Sequence, residues 1–466
     1  MPRFLALTHD KPTVSIELSS TKTIYTTSDQ IQGNVVIYTP VALHVEDLRI
    51  DFIGATRTHV ERGTTAVAVS GRTEAFHQFL KLSQPDISGH IPSDGILRAG
   101  TTHSVPFLFA IPEHLLPRAC RHRVCHPSVR DAHLLLPPSL GGTGEDLAPE
   151  MASIKYGVYV KLTCCTIARV SEDGKREVQV SKARILRVMP RVEELPPLDT
   201  DGGGKDYTMS HVKTLRRGVL KGKWGTLTMR GSQPPAICLR PSIDKRHSTV
   251  ATVDLQFDPH DELVSPPRLG SLHTRLKTIT FFSSTARGDF PTKRIKETQD
   301  LTRGFHAESI SLSHRWLAAV EWTRSEGRSY HARITVPVTL PVDKTFIPTF
   351  HSCLISRVYK LKLELGVQNM LGVNLTIKIP LQVTSVLAPS SPGGEPERLP
   401  VRAATPTPDY TEQPPQVDTP QAVDGNYVGE YFSTEEAWAS LLGPNVLEDA
   451  PPGYNNTSTM LYVSVH

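Results

Sequence analysis

Apolar and polar residues alternate with a period of two along the first 388 residues, and this property restricts the chain to β-sheet. Val14, Ile16 and Leu18 alternate, as do Leu48, Ile50 and Phe52 up to a strand end at Gly54. Ile154, Tyr156, Val158, Val160 and Leu162 follow the same rule, with Lys155 and Lys161 on the opposite face. So do Ile334, Val336, Val338 and Leu340. The cleanest run is Tyr359, Leu361, Leu363, Leu365 and Val367, followed at once by Leu375, Ile377, Ile379, Leu381 and Val383. Successive side chains of a strand point to opposite faces, so each run buries one face and wets the other, as antiparallel sheets do. No long amphipathic helix interrupts the series. The expected class is all-β, built as antiparallel β-sandwiches.

A chain of 466 residues is long for one core. Residues 190–206 hold Glu193-Glu194, Pro196-Pro197 and Gly202-Gly203-Gly204, show no periodicity and read as a linker. Strands resume around residues 224–229. Two tandem sandwiches are therefore expected, over residues 1–189 and 207–388. The halves share a late pattern that hints at duplication: Pro137-Pro138-Ser139 leads into the strand at Ile154, and Pro348-Thr349-Phe350 into the strand at Tyr359.

After Leu387 the alternation stops. Residues 389–466 contain 12 of the 38 prolines and too little apolar surface to offset the entropy of ordering, so a disordered tail is expected. An island at Ser433, Glu436, Trp438, Leu441 and Leu442 has a capping box and helical spacing and could fold against a groove. The tail has two cations and eleven acids, a net charge of −9; with a total of +4, residues 1–388 carry +13. A basic body suits an acidic partner, and the acidic tail could compete for the same surface.

The tail contains Pro451-Pro452-Gly453-Tyr454, a Pro-Pro-x-Tyr motif. Consecutive prolines pre-set a polyproline II helix with little entropy left to lose. WW domains read such ligands by clamping proline between aromatic rings and seating the tyrosine in a second pocket. Pro451, Pro452 and Tyr454 are the expected contacts. Pro408 and Tyr410, in Pro406-Thr407-Pro408-Asp409-Tyr410, form an incomplete second copy. The last lysine in the chain is Lys378, so a ligase held at Tyr454 must modify the body or a bound third protein.

Other chemistry finds little support. Cys120, His122, Cys125, His126 and His133 crowd one stretch, and such residues can bind zinc. The Cys-x4-Cys spacing is loose, however, and no second cysteine pair follows. Arg118, Arg121, Arg123 and Arg130 would repel a cation but suit anionic lipid or acidic cargo. The stretch reads as a basic, turn-rich loop, and no metal or cofactor is expected. Gly202-Gly203-Gly204-Lys205 lacks the earlier glycine and following hydroxyl of a phosphate loop. No catalytic motif and no nucleic-acid module is found, so neither enzymatic activity nor nucleic-acid binding is expected. Six scattered cysteines, no secretory leader and no apolar run long enough to span a bilayer point to a cytoplasmic protein.

Several stretches in order resemble the α-arrestin family, most closely its fungal members. Residues 24–35, ending Gly33-Asn34-Val35, are similar to the family's opening strand, turn and x-Gly-x-Val strand. Pro106-Phe107-Leu108-Phe109, Ile111-Pro112 and Leu115-Leu116-Pro117 resemble its Phe-x-Phe-x-Ile-Pro and Leu-Pro signature. Leu136-Pro137-Pro138-Ser139-Leu140-Gly141 and residues 344–350 and 355–361 match later segments. The resemblance implies two arrestin-like, immunoglobulin-like sandwiches. It also implies recognition of membrane transporters or receptors at their cytoplasmic face, and recruitment of a WW-domain HECT ubiquitin ligase by the tail, with endocytosis and sorting to follow. Recruitment to plasma membrane or endosomes and contact with an anionic membrane surface are part of that expectation. Two alternatives remain open: a retromer-like sorting scaffold that needs no tyrosine motif, and a metal-dependent hydrolase using the Cys/His stretch.

Overall fold

In a computed structural model, residues 11–386 are described apart from 63–70, 86, 142–145, 167–176, 197–205, 217–221, 241–246, 294–299, 318, 326, 369 and 371–372. The first half contributes β1 (Thr13–Leu18), β2 (Gln30–Thr39), β3 (Leu43–Arg62), β4 (Gly71–Ser83), β5 (Ile96–Leu97), β6 (Thr101–Ala110), β7 (Ala152–Thr166) and β8 (Glu177–Leu186). The α-helix α1 (Pro127–Leu134) lies between β6 and β7, after a short 3-10 turn at Pro117–Ala119. The second half contributes β9 (Ser210–Arg216), β10 (Lys223–Gly231), β11 (Ile237–Leu239), β12 (Ser248–Pro259), β13 (Leu269–Ser283), β14 (Arg303–Trp316), β15 (Thr323–Arg324), β16 (Tyr330–Thr339), β17 (Phe350–His351), β18 (Ile355–Val367), β19 (Asn374–Leu381) and β20 (Val383–Ser385).

These strands build two sandwiches. The first packs the sheet β1-β2-β6 on the sheet β4-β3-β7-β8, with β5 pairing the start of β3. The second packs β15-β16-β12-β10-β9 on β14-β13-β18, whose far edge is taken by β17 and β19. Pairing between these strands is antiparallel except for β11 on β20. The alternation explains the cores directly. Ile154, Tyr156, Val158, Val160 and Leu162 of β7 are fully buried in the first, and Leu361, Leu363, Leu365, Ile377 and Ile379 in the second. Removing each such side chain from water contributes about 1.5–3 kcal/mol.

Gly54 and Gly33 are among the glycines that mark close approaches. Gly54 does not end its strand, because β3 runs on to Arg62. The strand shifts register between Gly54 and Ala55, and a Cβ at Gly54 would lie 2.6 Å from the Phe79 ring and 2.8 Å from that of Tyr156. At Gly33 a Cβ would fall 2.1 Å from the Glu17 carbonyl and 2.6 Å from the Phe107 ring.

The halves exchange residues at their junction. Phe282, Ile347, Phe350, Cys353, Leu354 and Ile355 belong to the first core, and Leu147 belongs to the second. Arg357, fully buried, donates from its guanidinium to the carbonyls of Asp146 and Leu147 at 3.1 Å each. Thr58 Oγ1 donates to the Ser283 carbonyl at 2.7 Å. The described part of the linker is docked: Val192 bridges Ser385, and the Leu195 amide donates to Gln382 Oε1 at 2.9 Å.

Candidate functional site

The outer face of the β14-β13-β18-β19 layer concentrates positive charge. In β18 the leucines at 361, 363 and 365 face the core, which places Lys360, Lys362 and Glu364 on the opposite face. Strand register sets Lys277 of β13 beside Lys360, and Arg275 beside Lys362. On the other side Lys378 of β19 is beside Lys362. Lys293 joins them from the segment after β13, its Nζ 4.1 Å from the centre of the Phe305 ring. Two carboxylates stand among these six cations: Asp206 lies 2.9 Å from Lys360 Nζ, and Glu364 lies 2.7 Å from Lys362 Nζ.

The crowding shows in the titration of the ammonium groups. Burial lowers Lys277, and the charges of Lys378 and Lys362 lower it further. Burial, reinforced by Lys277 and Lys360, brings Lys293 down to about 8. Lys360 is lowered by burial despite its hydrogen bond to Asp206. Burial raises the Asp206 carboxyl, but the Lys360 hydrogen bond, the Lys293 amide and the lysine charges outweigh it and hold the group below its ordinary value. The Tyr207 ring sits under Lys360 Nζ at 4.4 Å, and its phenol is raised to about 12 by burial and by Asp206. Like charges held together on a half-buried sheet are stabilised by an added anion. This face can therefore bind an acidic segment or an anionic surface.

The stretch expected to be a turn-rich loop holds α1. Its first turn has Pro127 at the start, and His126 caps it by accepting the Ser128 amide through Nδ1 at 3.2 Å. Cys120, His122 and His133 come together: Cys120 Sγ lies 3.3 Å from His122 Nε2 and 3.7 Å from His133 Nδ1. Cys125 and His126 stay apart from them, Cys125 exposed and His126 spent on the helix cap. A residue that sequence reasoning omits completes the group. Cys353, in the turn between β17 and β18, brings its sulfur to the other three, and all four ligand atoms lie within 4.8 Å of one another. Burial, then the neighbouring His122, His351, His77 and Arg287 charges, lower His133 to about 3, so its imidazole is neutral at neutral pH. Of the arginines in this stretch, Arg130 reaches the His122 carbonyl at 3.4 Å.

Pro451, Pro452 and Tyr454, the second copy at Pro408 and Tyr410, and the island at Ser433 lie outside the described residues. Among the described residues no helix is long and apolar enough to cross a membrane.

Residues 14–186 match the family model described as the arrestin (or S-antigen) N-terminal domain, spanning β1 to the end of β8. Residues 265–386 match the model described as Bul1 C terminus, which takes in the basic face and Cys353. No curated protein matches the chain.

Proposed function

Because the chain belongs to the arrestin-related trafficking adaptor (α-arrestin) family, we propose that it couples membrane transporters or receptors to a WW-domain HECT ubiquitin ligase. The body recognises cargo, and the basic face around Lys277, Lys362 and Lys378 meets acidic cytoplasmic segments or the anionic membrane beside them. The tail recruits the ligase through Pro451, Pro452 and Tyr454, with Pro408 and Tyr410 as a weaker second contact that raises avidity through effective concentration. The protein supplies no chemistry of its own; it sets the distance between a bound ligase and cargo lysines. Endocytosis and sorting of that cargo follow, and the protein works in the cytoplasm at the plasma membrane or endosomes.

The observation that carries this reading is one complete Pro-Pro-x-Tyr motif on an arrestin-type body, in a tail without a single lysine. A ligase tethered there has no acceptor nearby, so transfer is directed to the body or to its cargo.

Deleting residues 440–466 and profiling ubiquitinated membrane proteins in cells tests the proposal. Loss of ubiquitin from a defined set of transporters or receptors is expected. An unchanged profile would favour a sorting scaffold that acts without a ligase.

A further inference from the structure

We infer that Cys120, His122, His133 and Cys353 form a structural zinc site that pins the first sandwich to the second. The four side chains come from separate places in the chain. Cys120 follows the short turn at Pro117–Ala119, His122 is two residues on, and His133 lies in the last turn of α1. Cys353 is presented by the β17–β18 turn. Nothing local in the sequence brings Cys353 here; the packing of the two halves does.

The geometry suits tetrahedral zinc. With bonds of about 2.3 Å to sulfur and about 2.0 Å to nitrogen, neighbouring ligand atoms of such a site are about 3.3–3.8 Å apart. Cys120 Sγ already lies 3.3 Å from His122 Nε2 and 3.7 Å from His133 Nδ1. The whole set fits within 4.8 Å, so closing on an ion takes about 1 Å of side-chain movement. Cys120, His133 and Cys353 are buried and His122 is half-buried, which leaves one side open for the ion to enter.

A second observation points the same way. His122 Nδ1 lies 3.2 Å from the Arg123 carbonyl, an acceptor only, so this nitrogen carries the proton. In the neutral ring the lone pair is then on Nε2, the atom that faces Cys120. Metal-bound histidines are commonly oriented in this way, with the far nitrogen donating to a carbonyl.

Charge does not oppose the site. Arg130 and the buried Arg287 are close, and both would repel a bare cation. Two thiolates cancel the charge of Zn²⁺, however, so a Cys₂His₂ centre enters this basic surrounding as a neutral unit. Four protein ligands leave no open position for a substrate water, which makes the role structural. Since His122 and His133 belong to the first half and Cys353 to the second, the ion would fix their relative placement. The site does not depend on what the tail binds.

The test is the metal content of full-length protein expressed with added zinc, purified under reducing conditions and desalted, by inductively coupled plasma mass spectrometry. Stoichiometric zinc is expected in the wild type, in Cys125→Ser and in His126→Ala, and its loss in Cys353→Ser and His133→Ala. Should the last two fail to fold, metal-stripped wild type is titrated with Co²⁺. A thiolate-to-cobalt charge-transfer band with the intense visible bands of a tetrahedral site is the expected result. Wild-type protein free of zinc that gives no such band, or whose Cys120 and Cys353 map as a disulfide, would overturn the assignment. Full zinc retention in a folded Cys353→Ser variant would do so as well.

Discussion

Tyr156 of the first sandwich and Tyr359 of the second make the same hydrogen bond. Each is fully buried and donates its phenol to a carbonyl that immediately precedes a proline, Pro137 at 2.5 Å and Ile347 at 2.7 Å. The shared pattern of a proline segment followed by an alternating strand thus has a structural counterpart in both halves. Each phenol ties its segment to the strand that follows it. Replacing either tyrosine by phenylalanine leaves a carbonyl without its partner, which costs about 1–2 kcal/mol. Denaturant unfolding is expected to show this loss for Tyr156→Phe and Tyr359→Phe, and no measurable loss for Tyr38→Phe, whose residue is 43% exposed.

Arg357 holds the loop that carries Leu147 across the junction. Leu147 has φ of 56°, a left-handed conformation that costs a leucine of the order of 1 kcal/mol, and its side chain is buried in the second core. Burial of that side chain, about 1.5–3 kcal/mol, outweighs the strain. Leu147→Gly should therefore destabilise the protein even though it relieves the backbone. Arg357→Lys keeps a charge but cannot reach both carbonyls with one planar fork, and a loss of about 2–4 kcal/mol is expected by chemical denaturation.

Much of this fold is legible in the sequence, because wherever one strand face is all Leu, Ile, Val or Tyr the period of two is unmistakable, as in β7, β16, β18 and β19. β13 escapes that reading for a physical reason. Its inward positions include the buried threonines 274, 278 and 280, while Ile279 and Phe281 are buried on its other face. The basic face is half legible: Lys360, Lys362 and Glu364 share a face by simple alternation. Its partners Lys277 and Lys378 depend on register, which periodicity does not give. Cys353 is beyond any spacing rule, since more than two hundred residues separate it from Cys120. A linear motif such as Pro451-Pro452-Gly453-Tyr454 is the opposite case, complete in four consecutive residues.

Lys293 gives the basic face a pH dependence. Its value near 8 is below the ordinary lysine value of about 10.4, and a bound anion favours its charged form. Affinity for phosphatidylserine vesicles should therefore fall as pH rises from about 7 to about 9. Lys293→Arg, which stays charged, should flatten that fall. The same shift has a consequence for folding. Between about 8 and about 10.4 the unfolded chain binds a proton that the folded chain does not, so the contribution of Lys293 to stability rises with pH across that window. At neutral pH a lysine near an anionic surface is worth about 1 kcal/mol, so replacing the half-buried Lys362 and the exposed Lys378 by glutamine should together weaken vesicle binding by up to about 30-fold.

The charge division between body and tail sets a further expectation. With −9 on the tail and +13 on the body, we expect the tail to associate with the body at low salt and to be released when ions screen the attraction. Phosphates on Thr405, Thr407 or Thr419 would strengthen the closure. WW-domain affinity of the full-length protein should rise with ionic strength toward that of the isolated tail peptide. Equal affinities at all salt concentrations would contradict such masking.

The most direct measurement is a titration of isolated ligase WW domains with full-length protein, wild type against Tyr454→Ala, at both low and high salt. Specific binding by the wild type and its loss in the substituted protein are the expected result. A wild type that binds no WW domain, or two proteins that bind alike, would contradict the adaptor function proposed for this chain.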